Sequence, residues 1–183
     1  AIAIEYLQPD GNEPSLIDIQ GGGSDLIYPH HEMCAAQAQV LSGKPLASTY
    51  VHAGMIGLDG EKMSKSKGNL VFVSKLLESG IDPMILRWAL LRGHYQQDRA
   101  WSNELLEIST NEVELVRSAL AQSEVADTNN VINSLIQDIS NNLDTPSALD
   151  RLTKWANLSQ SNPTVNQSGL MARAIDSLLG LAL

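Results

Sequence analysis

A chain of 183 residues with 43% hydrophobic content can bury an ordinary core, as one domain or one domain with a smaller attachment. Its 21 Asp plus Glu outweigh 12 Lys plus Arg, and the net charge of −9 argues against the overall cationic footprint of a non-specific nucleic-acid binder. No apolar run reaches the roughly 18 to 20 residues of a membrane span, no signal-peptide layout is present, and a single cysteine, Cys34, excludes an internal disulfide. The expectation is a soluble, monomeric protein of the cytoplasm. The sequence opens on Ala1, Ile2, Ala3 and Ile4 without an initiator Met, which reads as a piece of something longer.

In chain order, Leu16-Ile17-Asp18-Ile19 reads as a short buried strand running into a glycine turn at Gly21-Gly22-Gly23. A helix is expected from about Pro29 to Ser42, with Pro29 at its first position and Gly43 just past its end. Thr49 to Ile56 is the next strand candidate, and it leads into the polar loop Asp59 to Asn69. Strand, glycine turn, helix and strand together predict an α/β unit with a parallel sheet, and such sheets bind ligands at the carboxyl ends of their strands. The stretch from His94 to Trp101 reads as the linker to a second part.

That second part is helical. Ser102 can cap a helix carrying Leu105, Leu106, Val113, Val116 and Leu120, and Val131, Ile132, Leu135, Ile136, Ile139 and Leu143 form a second apolar stripe. Thr145-Pro146 reads as a cap and first-turn proline for a helix bearing Leu149, Leu152 and Trp155, and Asn157 to Gln167 reads as a polar loop. A last helix spans about Ser168 to Leu179, and the set predicts a small antiparallel bundle. Trp88, Trp101 and Trp155 have apolar neighbours and are expected in the core.

The strongest chemical signal is Lys62-Met63-Ser64-Lys65-Ser66, set between Asp59-Gly60-Glu61 and Lys67-Gly68-Asn69. Two lysines in a glycine-flanked loop suit a mobile arm that neutralises phosphate charge as pyrophosphate departs. An arbitrary pair of lysines at this spacing would read as a solvated basic loop; the five-residue string after a strand is far more specific. Three glycines at 21–23 let a backbone approach a nucleotide closely, and the Asp25 carboxylate can accept hydrogen bonds from ribose hydroxyls. Taken alone, those glycines would read as a tight turn.

The lysine string resembles the signature loop of class I aminoacyl-tRNA synthetases and their relatives. A second block, Asp18-Ile19-Gln20-Gly21-Gly22-Gly23-Ser24-Asp25-Leu26 followed by Pro29-His30-His31-Glu32, resembles the cysteine-specific branch of that superfamily, which holds cysteinyl-tRNA synthetase and the cysteine ligase of mycothiol biosynthesis. The resemblance implies the second half of a Rossmann-like catalytic domain over residues 1–58, the KMSKS loop with a connecting helical segment over 59–100, and a helical bundle over 101–183. It implies Lys62 and Lys65 as catalytic residues, and Gly23, Ser24, Asp25 and Ile56 as contacts to the adenylate. It also implies that His30 binds a zinc ion holding the substrate cysteine as thiolate, a soft ligand that zinc takes over the hydroxyl of serine. Cys34 lies four residues on, but family synthetases carry a glutamate there, so its role stays open between a metal ligand and a small buried helix residue. Catalytic zinc has three protein ligands as a rule, and the resemblance puts the remaining ones outside this chain, together with the HIGH-type half of the ATP site. His31 and Glu32 could orient His30 or each other, but the expectation is a satisfied surface or helix-start pair.

Within the branch, Gln20 replaces the histidine usual in the synthetase string, and the run His52 to Glu61 is closer to the ligase. Residues 103–183 carry only Arg117, Arg151, Lys154 and Arg173 as cations and one aromatic, a poor surface for reading tRNA. The implied partners are therefore ATP, L-cysteine and glucosaminyl-inositol, with no tRNA and no membrane. The competing readings are a cysteinyl-tRNA synthetase fragment and a non-catalytic binding paralogue.

Overall fold

The computed structural model describes residues 6, 13–58, 61–64, 66–164 and 167–183, without the side chain of Lys62. The chain divides into two compact units: Ala1–Ile56 with Gln96–Arg99, and Gly57–Tyr95 with Ala100–Leu183.

In the first unit, β1 (Ile17–Gly23) and β2 (Ala47–Ala53) pair in parallel, in register from Ile17 opposite Ala47 to Gly23 opposite Ala53. Parallel neighbours need a crossover. Here it is a 3-10 turn (Ser24–Leu26), a π-helical turn (Ile27–His31) and helix α1 (Glu32–Ser42). Leu16, Ile17, Ala38, Leu46 and Ala47 are buried together where α1 crosses the two strands. Two expectations change in detail. The triple glycine is the last part of β1, because opposite it Val51, His52 and Ala53 supply a partner strand; no turn begins until Ser24. The helix proper starts at Glu32, because Tyr28 stays extended at φ −136° and ψ 135°, as a residue before proline prefers. Its end is as expected, with Gly43 at φ 73° donating its N–H to the Gln39 carbonyl at 2.9 Å.

In the second unit, residues 57–58 of β3 (Ile56–Leu58), β4 (Glu61–Lys62) and residues 100–101 of β5 (Arg99–Trp101) belong to a sheet ordered β4-β3-β5. Helices α2 (Val73–Glu78), α3 (Pro83–Leu91), α4 (Asn103–Leu120), α5 (Asn129–Ser140), α6 (Thr145–Ser161) and α7 (Ser168–Leu179) make up the rest. α4 packs against α3, α6 and α7, while α5 packs against α6 and α7. Their shared core holds Trp88, Val113, Val116, Leu135, Leu149, Leu152, Trp155, Met171 and Ile175, all fully buried; Trp101 is buried as well. The periodic apolar positions thus close on one another, which is where most of a helix's stability comes from.

The caps explain the boundaries. Ser102 Oγ accepts from Leu105 N at 3.1 Å and starts α4, as its sequence position predicts. Asp82 does the same for α3, accepting from Met84 N at 2.7 Å. The cap of α6 is Asp144 and not Thr145: its carboxylate accepts from Ser147 N at 3.2 Å and from Ser147 Oγ at 2.8 Å. α5 stops short of Leu143, since Asn142 and Leu143 take left-handed conformations (φ 54° and 55°). The expected loop from Asn157 begins later, because α6 runs on to Ser161. Among the described residues, no helix is long and apolar enough to cross a membrane.

Candidate nucleotide and cysteine site

Most of the expected site residues stand in the first unit, at the carboxyl end of β1 and just beyond it. Gly23 ends the strand and Ser24 and Asp25 form the 3-10 turn that follows. The exposed Asp25 carboxylate folds back over Gly23, its Oδ1 2.6 Å from where a Cβ on that glycine would stand. Ile56, half-buried, follows a segment held by its neighbours: Met55 N donates to Asp98 Oδ1 at 2.7 Å and Met55 O accepts from Arg99 N at 2.9 Å. The approach is so close that a Cβ on Gly54 would lie 2.3 Å from the Gln97 carbonyl. Both backbone polar groups of Met55 are thus engaged within this unit.

His30 sits in the π-helical turn and Cys34 in the first part of α1, four residues apart, and both are exposed. Exposure removes the reading of Cys34 as a buried helix residue. An imidazole and a thiol suit zinc, and four residues on a helical stretch can share a face. Among the described residues no group of three His, Cys, Asp or Glu comes together to hold a metal ion, so this pair lacks at least one donor.

His31 stands at the helix start and is satisfied, as expected, but it is no surface residue: it is the N-cap residue of α1, is only 6% exposed, and lies at the centre of a polar cluster. Its Nδ1 is 2.7 Å from His52 Nε2 on β2, and its Nε2 is 3.2 Å from Gln20 Nε2 on β1. The rings of Tyr50 and His52 lie nearly parallel, at 12° with centroids 6.5 Å apart. Ile27, His31, Glu32, Ala35, Tyr50 and His52 line a cavity of about 200 Å³. The signal that could have found it was present: Gln20 lies opposite Tyr50 on the paired strand, two residues before His52. Only the pairing register shows it.

The lysine string belongs to the second unit. Lys62 lies on β4, opposite Gly57 of β3, while Lys65 falls outside the described residues. Around it the backbone is organised by side chains: Ser64 N donates to Asn69 Oδ1 at 2.9 Å, Lys67 N donates to Ser64 Oγ at 3.3 Å, and Val71 N meets Met63 Sδ at 3.4 Å. Lys67 Nζ is paired with Glu61 Oε2 at 2.9 Å.

Residues 3–111 match the family model described as tRNA synthetases class I (C) catalytic domain. The chain is 53% identical over 169 residues to the L-cysteine:1D-myo-inositol 2-amino-2-deoxy-alpha-D-glucopyranoside ligase of Nakamurella multipartita, covering 92% of this chain and 40% of the relative. To the ligase of that name in Streptomyces coelicolor it is 46% identical over 186 residues, covering 100% of this chain and 44% of the relative. The chain thus spans less than half the length of these curated relatives. Among solved structures, its fold is similar to that of Agrobacterium radiobacter K84 agnB2 LeuRS in a ternary complex with tRNA and LeuAMS (TM-score 0.60, 15% identity, 91% of this chain and 26% of that one). It is also similar to Mycobacterium tuberculosis methionyl-tRNA synthetase in complex with methionyl-adenylate (TM-score 0.55, 22% identity, 77% of this chain and 32% of that one). At these identities the likeness is one of fold.

Proposed function

Since the chain belongs to the class I (C) tRNA synthetase catalytic-domain family, we propose that it is part of an ATP-dependent, AMP-forming ligase that joins L-cysteine to the amine of glucosaminyl-inositol in mycothiol biosynthesis. The observation that carries this reading is the 53% identity to a ligase of that name across 92% of the chain. The HIGH-type half of the ATP site lies elsewhere in the polypeptide, so this stretch is inactive alone.

In the first step a carboxylate oxygen of cysteine attacks the α-phosphate of ATP, the bond to the β-phosphate breaks, and pyrophosphate leaves. Lys62 and Lys65 stabilise the charge that gathers on the departing phosphates, as preorganised cations do. Gly23, Ser24 and Asp25 hold the ribose side of the adenylate: the carboxylate of Asp25 is exposed and accepts from hydroxyls. Ile56 offers its backbone to the adenine. In the second step the amine of the amino-sugar attacks the acyl carbonyl, an amide forms, and AMP leaves. His30, with Cys34 as a further candidate, would hold zinc together with ligands from outside this chain. Zinc would supply thiolate coordination, which separates cysteine from serine.

The test uses full-length protein with ATP and cysteine. AMP should form in quantity only when glucosaminyl-inositol is added. AMP production stimulated equally by tRNA points to a cysteinyl-tRNA synthetase instead, and absence of cysteine-dependent pyrophosphate exchange points to a non-catalytic paralogue.

A further inference from the structure

Gln20, His31 and His52 form an unbranched polar chain whose direction can be worked out from one end. Gln20 Nε2 is 3.2 Å from His31 Nε2, and the same amide nitrogen is 3.5 Å from the Gly21 carbonyl oxygen. Turning the amide over would set its oxygen against that carbonyl, acceptor against acceptor. The NH2 end therefore faces the ring, and an amide nitrogen donates only. His31 Nε2 must accept, so the neutral ring carries its hydrogen on Nδ1. That N–H points at His52 Nε2, 2.7 Å away. His52 Nε2 must then accept in turn, which leaves its hydrogen on Nδ1.

The structure also shows why His31 cannot turn away from this arrangement. It is 6% exposed, and its Cε1 and Nε2 lie against the α-carbon of Gly22, at 2.8 and 3.2 Å from where a Cβ would be. We infer that Gln20 is a positioning residue that fixes both imidazoles as Nδ1–H tautomers, so that His52 offers the cavity lined by Tyr50, Glu32 and His31 a hydrogen-bond donor. A substrate oxygen that reaches the remaining ring nitrogen of His52 meets an N–H and not a lone pair. A histidine at position 20 could present either a donor or an acceptor to His31 and would leave the direction of the chain undetermined. Glutamine determines it.

That this donor serves cysteine activation rests on the ligase reading; the tautomers do not. In full-length protein labelled with 15N-imidazole, at a pH where both rings are neutral, long-range proton–nitrogen correlation should show Nδ1–H for His31 and His52. Gln20→Glu keeps the shape but presents an acceptor, and both rings should switch to Nε2–H. An Nε2–H tautomer of either ring in the parent protein, or unchanged tautomers in Gln20→Glu, overturns the assignment. In parallel, kcat for cysteine-dependent pyrophosphate exchange should fall about tenfold in Gln20→Glu, the size of one net hydrogen bond, with KM for ATP unchanged. Switched tautomers with unaltered kcat overturn the positioning role. A parent protein with no exchange at all sinks the ligase reading and leaves the tautomer result standing.

Discussion

Gly22 and His31 are fitted to each other: a Cβ on Gly22 would stand 2.8 Å from His31 Cε1 and 3.0 Å from Leu26 Cδ1. The glycine run in β1 is therefore required at this position by a side chain from the following turn. Gly22→Ala is expected to push the imidazole from its place, break its hydrogen bond to His52, and cost about 1 to 3 kcal/mol as overpacking does. Urea unfolding and the imidazole signals of His31 check this together. An alanine variant with parent stability and an unmoved ring contradicts the fit.

Asp82 combines a helix cap with an ion pair, and its pH dependence follows. The N–H of Met84 first, and the guanidinium of Arg117 second, hold its carboxyl below the ordinary carboxylate value. A carboxyl lowered in the folded state contributes stability above its unfolded pKa of about 3.9 and loses it as pH falls through the lower folded value. Asp82→Asn keeps a cap acceptor but no charge. It should be less stable than the parent at pH 7 by up to about 1 kcal/mol, and the gap should close below pH 4. Urea midpoints at pH 7 and pH 3 measure it, and a gap of equal size at both contradicts the ion-pair contribution.

The helical half of the molecule was largely legible because its determinants are local. Ser102 caps, Val113 and Val116 recur on one face, and Gly180 follows α7 in a left-handed conformation. Asp144 was missed as a cap because Thr145-Pro146 carries the stronger sequence cue, while the carboxylate that reaches Ser147 is one residue earlier. In the α/β half the parallel pairing of β1 with β2 is non-local. Glycines 21–23 read as a turn until Val51 to Ala53 is set beside them. The burial of His31 is non-local in the same way, since its partners come from β1 and from a residue 21 positions further on. Nothing local in the sequence separates two adjacent histidines into an exposed His30 and a buried His31.

His30 and His31 now separate by experiment. His30 is exposed and free to reach ligands from the rest of the polypeptide, whereas His31 is held by Gln20 and His52. In full-length protein His30→Ala should lower zinc content and weaken discrimination of cysteine from serine, because a three-ligand site reduced to two binds metal poorly. Metal analysis and exchange assays with both amino acids check it. Full zinc with intact discrimination refutes His30 as a ligand.

Lys65 and Lys67 are two residues apart in the sequence, yet their predicted roles differ. Lys67 already has a partner: its Nζ is 2.9 Å from Glu61 Oε2, with both side chains more than half exposed. A pair of that kind contributes between about 0 and 1 kcal/mol and weakens with salt. Lys67→Ala should therefore leave the rate of adenylate formation within a small factor of the parent. Lys65 is assigned to the departing phosphates, where a positioned cation acts on charge that develops only in the transition state. Lys65→Ala should slow cysteine-dependent pyrophosphate exchange by roughly 10²-fold or more through kcat, with KM for cysteine little changed. Single-turnover adenylate formation by both variants decides it. Equal losses in the two would mean that general loop charge matters and not the position of one lysine, and equal retention would remove the lysine arm from the mechanism.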